Sequence, residues 1–146
     1  MKTSIISATV GAMLFSSAVS LAQSAAPKPR LTVLSIDAKG VNMDPMTMGN
    51  AVRVELEKLR LYQVTDKYDV IQFMEDHKMQ VNNCFGKTCL TEVGTMMKSD
   101  KMFSGSIEHI GKTMTFTYRV LDVSSSNIEK TYVHEFLYLP GKSRTW

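Results

Sequence analysis

The sequence predicts a single-domain α/β sandwich, with helices packed on one mixed sheet in the order β-α-β-α-α-β-β-β. Three observations predict this fold class. The chain has 146 residues, which is the size of one domain. Hydrophobic residues make up 44% and charged residues 21%, as in globular proteins. The hydrophobic period is helical in the middle of the chain and changes to two residues from Lys101 onward.

The amino-terminal segment, residues 1–22, has the three-part pattern of a secretory signal peptide. Lys2 precedes an apolar run, and small residues at Ser20 and Ala22 predict cleavage after Ala22. A membrane anchor is the alternative, but serine, threonine and glycine interrupt the run, which is shorter than about 20 strongly apolar residues. No cysteine lies near the cleavage point, so we expect no lipid anchor. We expect the exported chain to be periplasmic and to have no transmembrane span. Association with the outer membrane is left open.

The exported chain divides into a flexible leader at 23–30, a folded domain at 31–139 and a tail at 140–146. The first strand is predicted at 31–36, before the breakers Asp37, Lys39 and Gly40. Asp44 before Pro45 is typical of a helix start, and this helix is predicted to reach about Leu59. Its apolar stripe is Met48, Ala51, Val52, Leu56 and Leu59, which leaves Arg53, Glu57 and Lys58 facing water.

A second strand at 62–65 and a helix at 68–78 follow, with an irregular loop at 79–87. Thr88 is predicted to cap a third helix, which ends at Ser99 and Asp100. The apolar positions of the two helices are Val70, Phe73, Met74 and His77, and then Leu90, Val93, Met96 and Met97.

Three strands are predicted at 101–110, 113–123 and 127–139, and Asn127 is expected to close the second hairpin with a positive φ. The middle strand alternates strictly, which predicts a sheet with one covered face and one wetter face. One face carries Met114, Phe116, Tyr118 and Val120, and the other carries Thr113, Thr115, Thr117 and Arg119.

Several local signatures resemble one group of envelope proteins. LTVLSIDA is similar to that group's first strand, YQVTDK to its second strand and helix start, and the stretch from Cys84 to Lys130 to its two-cysteine loop, helix and strands. The group comprises the TolB amino-terminal domain, the curli secretion component CsgG and the lipoprotein activators of peptidoglycan synthases. Lys98-Ser99 replaces the usual Gly-Ala, and Asn127 replaces the usual Gly.

The resemblance implies a periplasmic, non-catalytic domain that binds envelope or outer-membrane-associated proteins during the assembly of envelope or surface structures. The chain has neither the additional barrel strands nor the lipid-bearing cysteine of CsgG, which argues against a pore. Self-association is left open. A nucleic-acid partner is not expected, because the formal charge is only +3 and no basic cluster is present.

Cys84 and Cys89 are the only cysteines, and export would place them where disulfides persist. We predict that they pair and pin the loop before the third helix. A redox pair and a zinc site are the alternatives. Four intervening residues do not match the Cys-x-x-Cys redox motif, and no further zinc ligand is adjacent in sequence.

Met43, Met46 and Met48 have a thioether spacing that suits Cu(I), so a periplasmic copper-binding protein is the alternative function. Packing is the simpler interpretation, because Met48 belongs to the helical stripe. His77, His109 and His134 are scattered, with no carboxylate at a ligand spacing. No catalytic or cofactor-binding motif is present, so we predict neither an enzyme nor a cofactor.

Aromatic residues are enriched at protein interfaces, and the candidates are Tyr118 on the middle strand, Tyr132, Phe136 and Tyr138 on the last strand, and Trp146. Of these, we predict that Tyr132, Phe136 and Tyr138 on the last strand bind a protein partner. The same residues would suit a sheet face covered by helices, and alternation alone does not say which face is covered. This strand is also predicted to be a sheet edge open to strand addition.

Overall fold

The computed structural model describes residues 26–80 and 84–138. It confirms the fold class, a five-stranded mixed sheet with three helices packed on it. The predicted signal peptide at 1–22 and the tail at 140–146 lie outside the described residues. Residues 26–29 of the predicted leader have no regular structure.

The elements follow the predicted order along the chain. The strands are β1 Arg30–Lys39, β2 Gln63–Val64, β3 Lys101–Ile110, β4 Thr113–Asp122 and β5 Asn127–Leu137. The helices are α1 Pro45–Leu59, α2 Lys67–Asp76 and α3 Lys87–Met96. In space the strands lie in the order β2-β1-β3-β4-β5. β1 is parallel to both of its neighbours, and β3, β4 and β5 form an antiparallel meander.

Three predictions at the ends of elements were wrong, and other ends differ by one or two residues. β1 continues past Ile36, because its last residues pair with 106–108 of β3 and their polar side chains do not interrupt the ladder. α3 begins at Lys87 and its N-cap is Gly86, so Thr88 lies inside the first turn. In the turn before β5, the residue with positive φ is Ser126 and Asn127 is already in the strand.

Helices on both faces of the sheet enclose two hydrophobic clusters. α1 covers a cluster built from β1, β3 and β4, which is formed by Leu31, Val33, Ile36, Phe103, Ile107 and Met114. α2 and α3 enclose the cluster on the opposite face, which is formed by Leu34, Val70, Met74, Cys84, Leu90, Val93, Met97, Met102, Leu121 and Val123. The central strands β1 and β3 are therefore buried from both sides.

Arg53 was predicted to face water, and this was wrong: its exposed fraction is 3%. The physical reason is a break in the register of β1 with β3 between Val33 and Ile36. At this irregularity the Arg53 guanidinium donates hydrogen bonds to the Val33 carbonyl and to Asn50 Oδ1. Burial lowers the pKa of Arg53, while the negative charges of Asp66 and Glu57 oppose that change.

Gly49, one turn before Arg53, allows α1 to approach the same part of β1. A Cβ atom at Gly49 would lie 3.0 Å from Ser35 Cα and 3.2 Å from the Leu34 carbonyl oxygen. The helix backbone therefore packs almost directly on the strand backbone. Met48, Val52 and Leu56 of the predicted stripe pack against the cluster under α1. Ala51 and Leu59 are exposed, so their predicted place in the core was wrong.

Replacing Arg53 with methionine tests the helix anchor. Arg53→Met keeps most of the apolar stem but leaves the buried Val33 carbonyl without its donor, which should lower the free energy of unfolding by about 1–3 kcal/mol. The control is Lys58→Met on the exposed side of α1, which should change that free energy by less than about 0.5 kcal/mol. Urea unfolding of both variants gives the values, and an Arg53→Met protein as stable as the native protein would contradict the anchor.

Candidate functional site

The three helices of the described residues leave one end of the sheet uncovered. α1 lies on β1 and β2, α3 lies near β3 and β4, and the extensive contacts of β5 are with β4 alone. Every residue of β5 is exposed. A strand in an antiparallel sheet normally buries the side chains of one face. A strand whose side chains are all exposed therefore makes this half of the sheet the candidate binding surface.

One side of this half-sheet carries six ring-bearing side chains, which we call the aromatic face: Phe116, Tyr118, Tyr132, His134, Phe136 and Tyr138. The register of β4 with β5 places Tyr132 opposite Tyr118 and His134 opposite Phe116. Residues directly opposite each other in antiparallel strands share a face, so the rings form one continuous patch. The patch continues the α1 side of the sheet, where Phe116 and Tyr118 border the α1 cluster.

A stack of three rings connects the core to the aromatic face. The Phe103 and Tyr118 ring centroids are 5.7 Å apart with 14° between their planes, and the Tyr118 and Tyr132 centroids are 5.2 Å apart with 9°. Phe103 is buried, whereas the exposed fraction of Tyr132 is 56%. Stacking on its neighbours restricts the exposed ring before any partner arrives, which lowers the entropy cost of binding.

Gly105 allows β3 and β4 to approach each other closely beside this stack. It lies directly opposite Tyr118 in the β3–β4 pair, and a Cβ atom there would lie 2.9 Å from the Thr117 carbonyl oxygen and 3.6 Å from Tyr118 Cβ. The Cβ atom would also lie 3.2 Å from Ile36 Cδ1, so a side chain at this position would press on the β4 backbone and on the cluster under α1. The glycine thus belongs to the architecture of the aromatic face.

The other two predicted binding residues lie farther along β5. The Tyr138 ring packs at an angle on His109, with centroids 4.6 Å apart. Phe136 lies next to His134, with centroids 6.2 Å apart. The exposed fractions of Phe136 and Tyr138 are 36% and 40%, so both rings are partly supported and partly open to solvent. The structure thus places Tyr132, Phe136 and Tyr138 on one surface together with Tyr118, while Trp146 lies outside the described residues. It adds Phe116 and His134, which we had not predicted as interface residues.

An ion cluster holds the start of β5. Lys101 Nζ donates to Asp122 Oδ2 at 2.6 Å and to Glu129 Oε1, so one ammonium group joins β3, β4 and β5. The hydroxyl groups of Ser124 and Ser125 donate to Asp122 Oδ1 in the turn between β4 and β5. The Lys101 ammonium and these donors hold the pKa of Asp122 well below its ordinary value, and the carboxylates raise the pKa of Lys101.

The opposite side of the half-sheet is polar, as the alternation in β4 predicts. A shallow groove of about 250 Å³ lies on the same side of the sheet but over β1, β3 and β4. It is lined by Asp37, Lys39, Phe85, Ser104, Gly105, Ser106, Glu108, Thr117 and Arg119. Cys84 and Cys89 are joined by a disulfide, with their Sγ atoms 2.02 Å apart. Arg119 donates to the Phe85 carbonyl oxygen at 2.7 Å, which ties the disulfide loop to this side. Mixed charges in the groove do not point to one class of ligand.

The methionines proposed for copper have different surroundings. Met48 packs against the α1 cluster, and the exposed fraction of Met43 is 50%. Met46 is partly buried in the first turn of α1. Since Met48 takes part in packing, Met43 and Met46 are the thioethers left for a metal. Within residues 26–80 and 84–138, no three His, Cys, Asp or Glu side chains are grouped to hold a metal ion.

None of the helices formed by the described residues has the length and apolar character needed to cross a membrane.

At the level of sequence, no protein-family profile and no curated protein matches this chain. At the level of structure, it is similar to the C-terminal domain of LpoB from Escherichia coli, with 9% identity, coverage of 79% of this chain and 87% of that chain, and a TM-score of 0.62. It is also similar to the lipoprotein GNA1162 from Neisseria meningitidis, with 10% identity, coverage of 80% and 86%, and a TM-score of 0.65.

A third similar structure is a dodecameric PelC variant from Paraburkholderia phytofirmans, with 12% identity, coverage of 77% of this chain and 73% of that chain, and a TM-score of 0.50. At these identities the likenesses show the fold alone. The fold agrees with the predicted resemblance to envelope lipoproteins, and the CsgG part of that resemblance stays a prediction.

The lowered pKa of Asp122 gives a pH-dependent contribution to stability. It is present above the ordinary aspartate pKa of about 4 and is lost as the pH falls through that value toward the lowered pKa in the folded state. Asp122→Asn should therefore unfold at a lower urea concentration than the native protein at pH 7, and the two midpoints should converge below about pH 4. Asp69→Asn, on the exposed side of α2, is the control. A gap between the two midpoints that stays constant from pH 7 to about pH 2 would contradict the role of the ion cluster.

Titration with Cu(I) tests the copper alternative. Because Met48 packs in the core, we expect the native protein and the double variant Met43→Leu, Met46→Leu to bind Cu(I) equally weakly. A competition assay with a coloured Cu(I) chelator gives both affinities. Stoichiometric binding that the double variant loses would instead support a copper-binding protein.

Proposed function

We propose that this protein is an exported, non-catalytic binding module of the cell envelope, an accessory in the assembly or transport of envelope or surface structures. Its aromatic face docks a protein partner. The observation that carries the proposal is the half-sheet of β4 and β5, on which Tyr132, Phe136 and Tyr138 form an exposed, contiguous patch. The fold shared with LpoB and the lipoprotein GNA1162 supports the envelope setting.

The chemistry of the aromatic face suits a protein partner. Tyrosine and phenylalanine are enriched in protein interfaces, where large rigid rings bury much area at a low entropy cost. Tyr132 lies at the centre of the exposed half-sheet, with Lys130 on one side and His134 on the other along the same face. A large aromatic residue near the centre of a patch is the kind of residue that supplies much of the binding energy of an interface.

Partial support by neighbouring rings gives the face a defined shape. Tyr132 stacks on Tyr118, and Tyr138 packs on His109, so neither exposed ring projects alone into solvent. The Lys101 ion cluster and the turn bonds of Asp122 keep β5 in register without a covering helix. A partner therefore meets a preformed surface, and little ordering of β5 is required on binding.

Site-specific photocrosslinking in intact cells tests the proposal. A benzophenone amino acid replaces Tyr132 in one strain and Phe136 in a second, and Glu92 on the exposed side of α3 in a control strain. We expect ultraviolet light to join positions 132 and 136 to the same envelope protein, which mass spectrometry identifies, and position 92 to give no such product. Crosslinks that are absent, or equally strong from position 92, would refute docking through the aromatic face.

Affinity measurements with the crosslinked protein, once purified, make the test quantitative. Tyr132→Ala should weaken binding roughly 30-fold, because a central aromatic anchor contributes about 2 kcal/mol or more to an interface. Glu92→Ala should leave the dissociation constant unchanged. Equal affinities for the two variants would place the interface elsewhere on the chain.

A further inference from the structure

The two edges of the sheet differ sharply in length. β2 forms one edge with two residues, whereas β5 forms the other with eleven. Within the described part of the chain, no strand pairs with the outer side of β5. Short edges resist pairing with other chains, but a long exposed edge with apolar side chains offers a row of unpaired backbone groups.

The backbone groups that β5 leaves unpaired can be assigned. The Tyr138 amide donates to the Lys112 carbonyl oxygen at 2.8 Å, and this bond continues the register of β4 with β5. In an antiparallel ladder such bonded pairs recur at every second residue. Even-numbered residues therefore direct their N–H and C=O groups toward β4, while Thr131, Val133, Glu135 and Leu137 direct theirs outward.

A bulge sets the limits of the regular edge. The register with β4 shifts between Val120 and Leu121, where Glu129 is the extra residue of β5. Bulges locally disrupt pairing and increase strand twist. The edge that can pair regularly therefore extends from Lys130 to Tyr138, and the residue at its midpoint is His134.

We propose that β5 pairs with β5 of a second copy of this chain, antiparallel and about a two-fold axis at His134. This register uses the whole regular edge. It also pairs the outward N–H and C=O groups of the two strands, since Val133 exchanges hydrogen bonds with Glu135 of the second copy. On the aromatic face, Tyr132 lies opposite Phe136 of the second copy, an aromatic pair formed twice by symmetry. Lys130 lies opposite Tyr138 of the second copy, so no two residues of like formal charge meet.

A neighbouring register is less favourable. A two-fold axis at Tyr132 would place Glu129 opposite Glu135 of the second copy, and this repulsion would occur twice. It would also carry the pairing across the bulge at Glu129. Charge and backbone geometry therefore both disfavour the axis at Tyr132, and the axis at His134 is the one that uses the whole regular edge.

The paired copies form one continuous sheet, in which the two aromatic faces lie side by side. Strand pairing alone buries less area than the 1,200–2,000 Å² or so of a standard interface, so the dimer is expected to dissociate in the micromolar range. The inference rests on the edge of β5 and does not depend on the proposed partner. Dimerisation and partner docking can therefore fail separately.

Sedimentation velocity of the full exported chain over a hundredfold concentration range tests the dimer. Val133→Pro removes one outward N–H without touching the bonds to β4, and should raise the dimer dissociation constant roughly tenfold or more. Val133→Thr keeps the N–H and is the matched control, which should dimerise like the native protein. A native chain that stays monomeric throughout, or a dimer that Val133→Pro leaves unchanged, would overturn the proposal.

Disulfide trapping tests the register and does not depend on the proline variant folding. His134→Cys places a thiol next to its own copy at the axis, in a non-hydrogen-bonded pair whose spacing allows a disulfide. We expect oxidation to give a covalent dimer of His134→Cys, and to leave Lys130→Cys monomeric, because its thiol would face Tyr138 of the second copy. Equal trapping of both variants, or trapping of Lys130→Cys alone, would contradict the two-fold axis at His134.

Discussion

The hydrogen bond from the buried Arg53 guanidinium to the Val33 carbonyl fixes the position of α1 on the sheet. The exposure of β4 and β5 depends on that position. A buried cation needs several partners, so Arg53 confines the helix to the irregular part of β1. Gly49 brings the two backbones together at the same place. Because α1 is held over β1 and β2, none of the described helices lies over β4 and β5 on this side of the sheet.

The uncovered half-sheet is stabilised in other ways. Its two strands form a meander with β3, and the Lys101 ion cluster joins all three at one end. The ring stack that begins at Phe103 extends the core outward to Tyr132. These contacts keep β5 ordered while its side chains stay exposed. The arrangement therefore indicates that the aromatic rings serve to bind a partner and not to fill a core.

Periodicity predicted the order of the elements because the stripes of α1 and the alternation of β4 are strong local signals. It correctly predicted that Met48, Val52 and Leu56 face the core. It did not predict the burial of Arg53, since the register break after Val33 leaves no mark in the run LTVLSI and an arginine ordinarily faces water. Alternation identified the rings of β5 as candidates, but their exposure depends on where α1 packs. The Lys101 ion cluster joins residues 28 positions apart, so no local pattern could reveal it.

Hydroxyl-radical footprinting of the purified protein tests most directly whether the aromatic face is open. The oxidation rate of a ring follows its exposure, so Tyr132, Phe136 and Tyr138 should each oxidise much faster than the buried Phe103. Addition of the crosslinked partner should then protect these three rings and leave Tyr68 on α2 unprotected. Rings on β5 that oxidise as slowly as Phe103 in the free protein would contradict the account, because another part of the chain would already cover them.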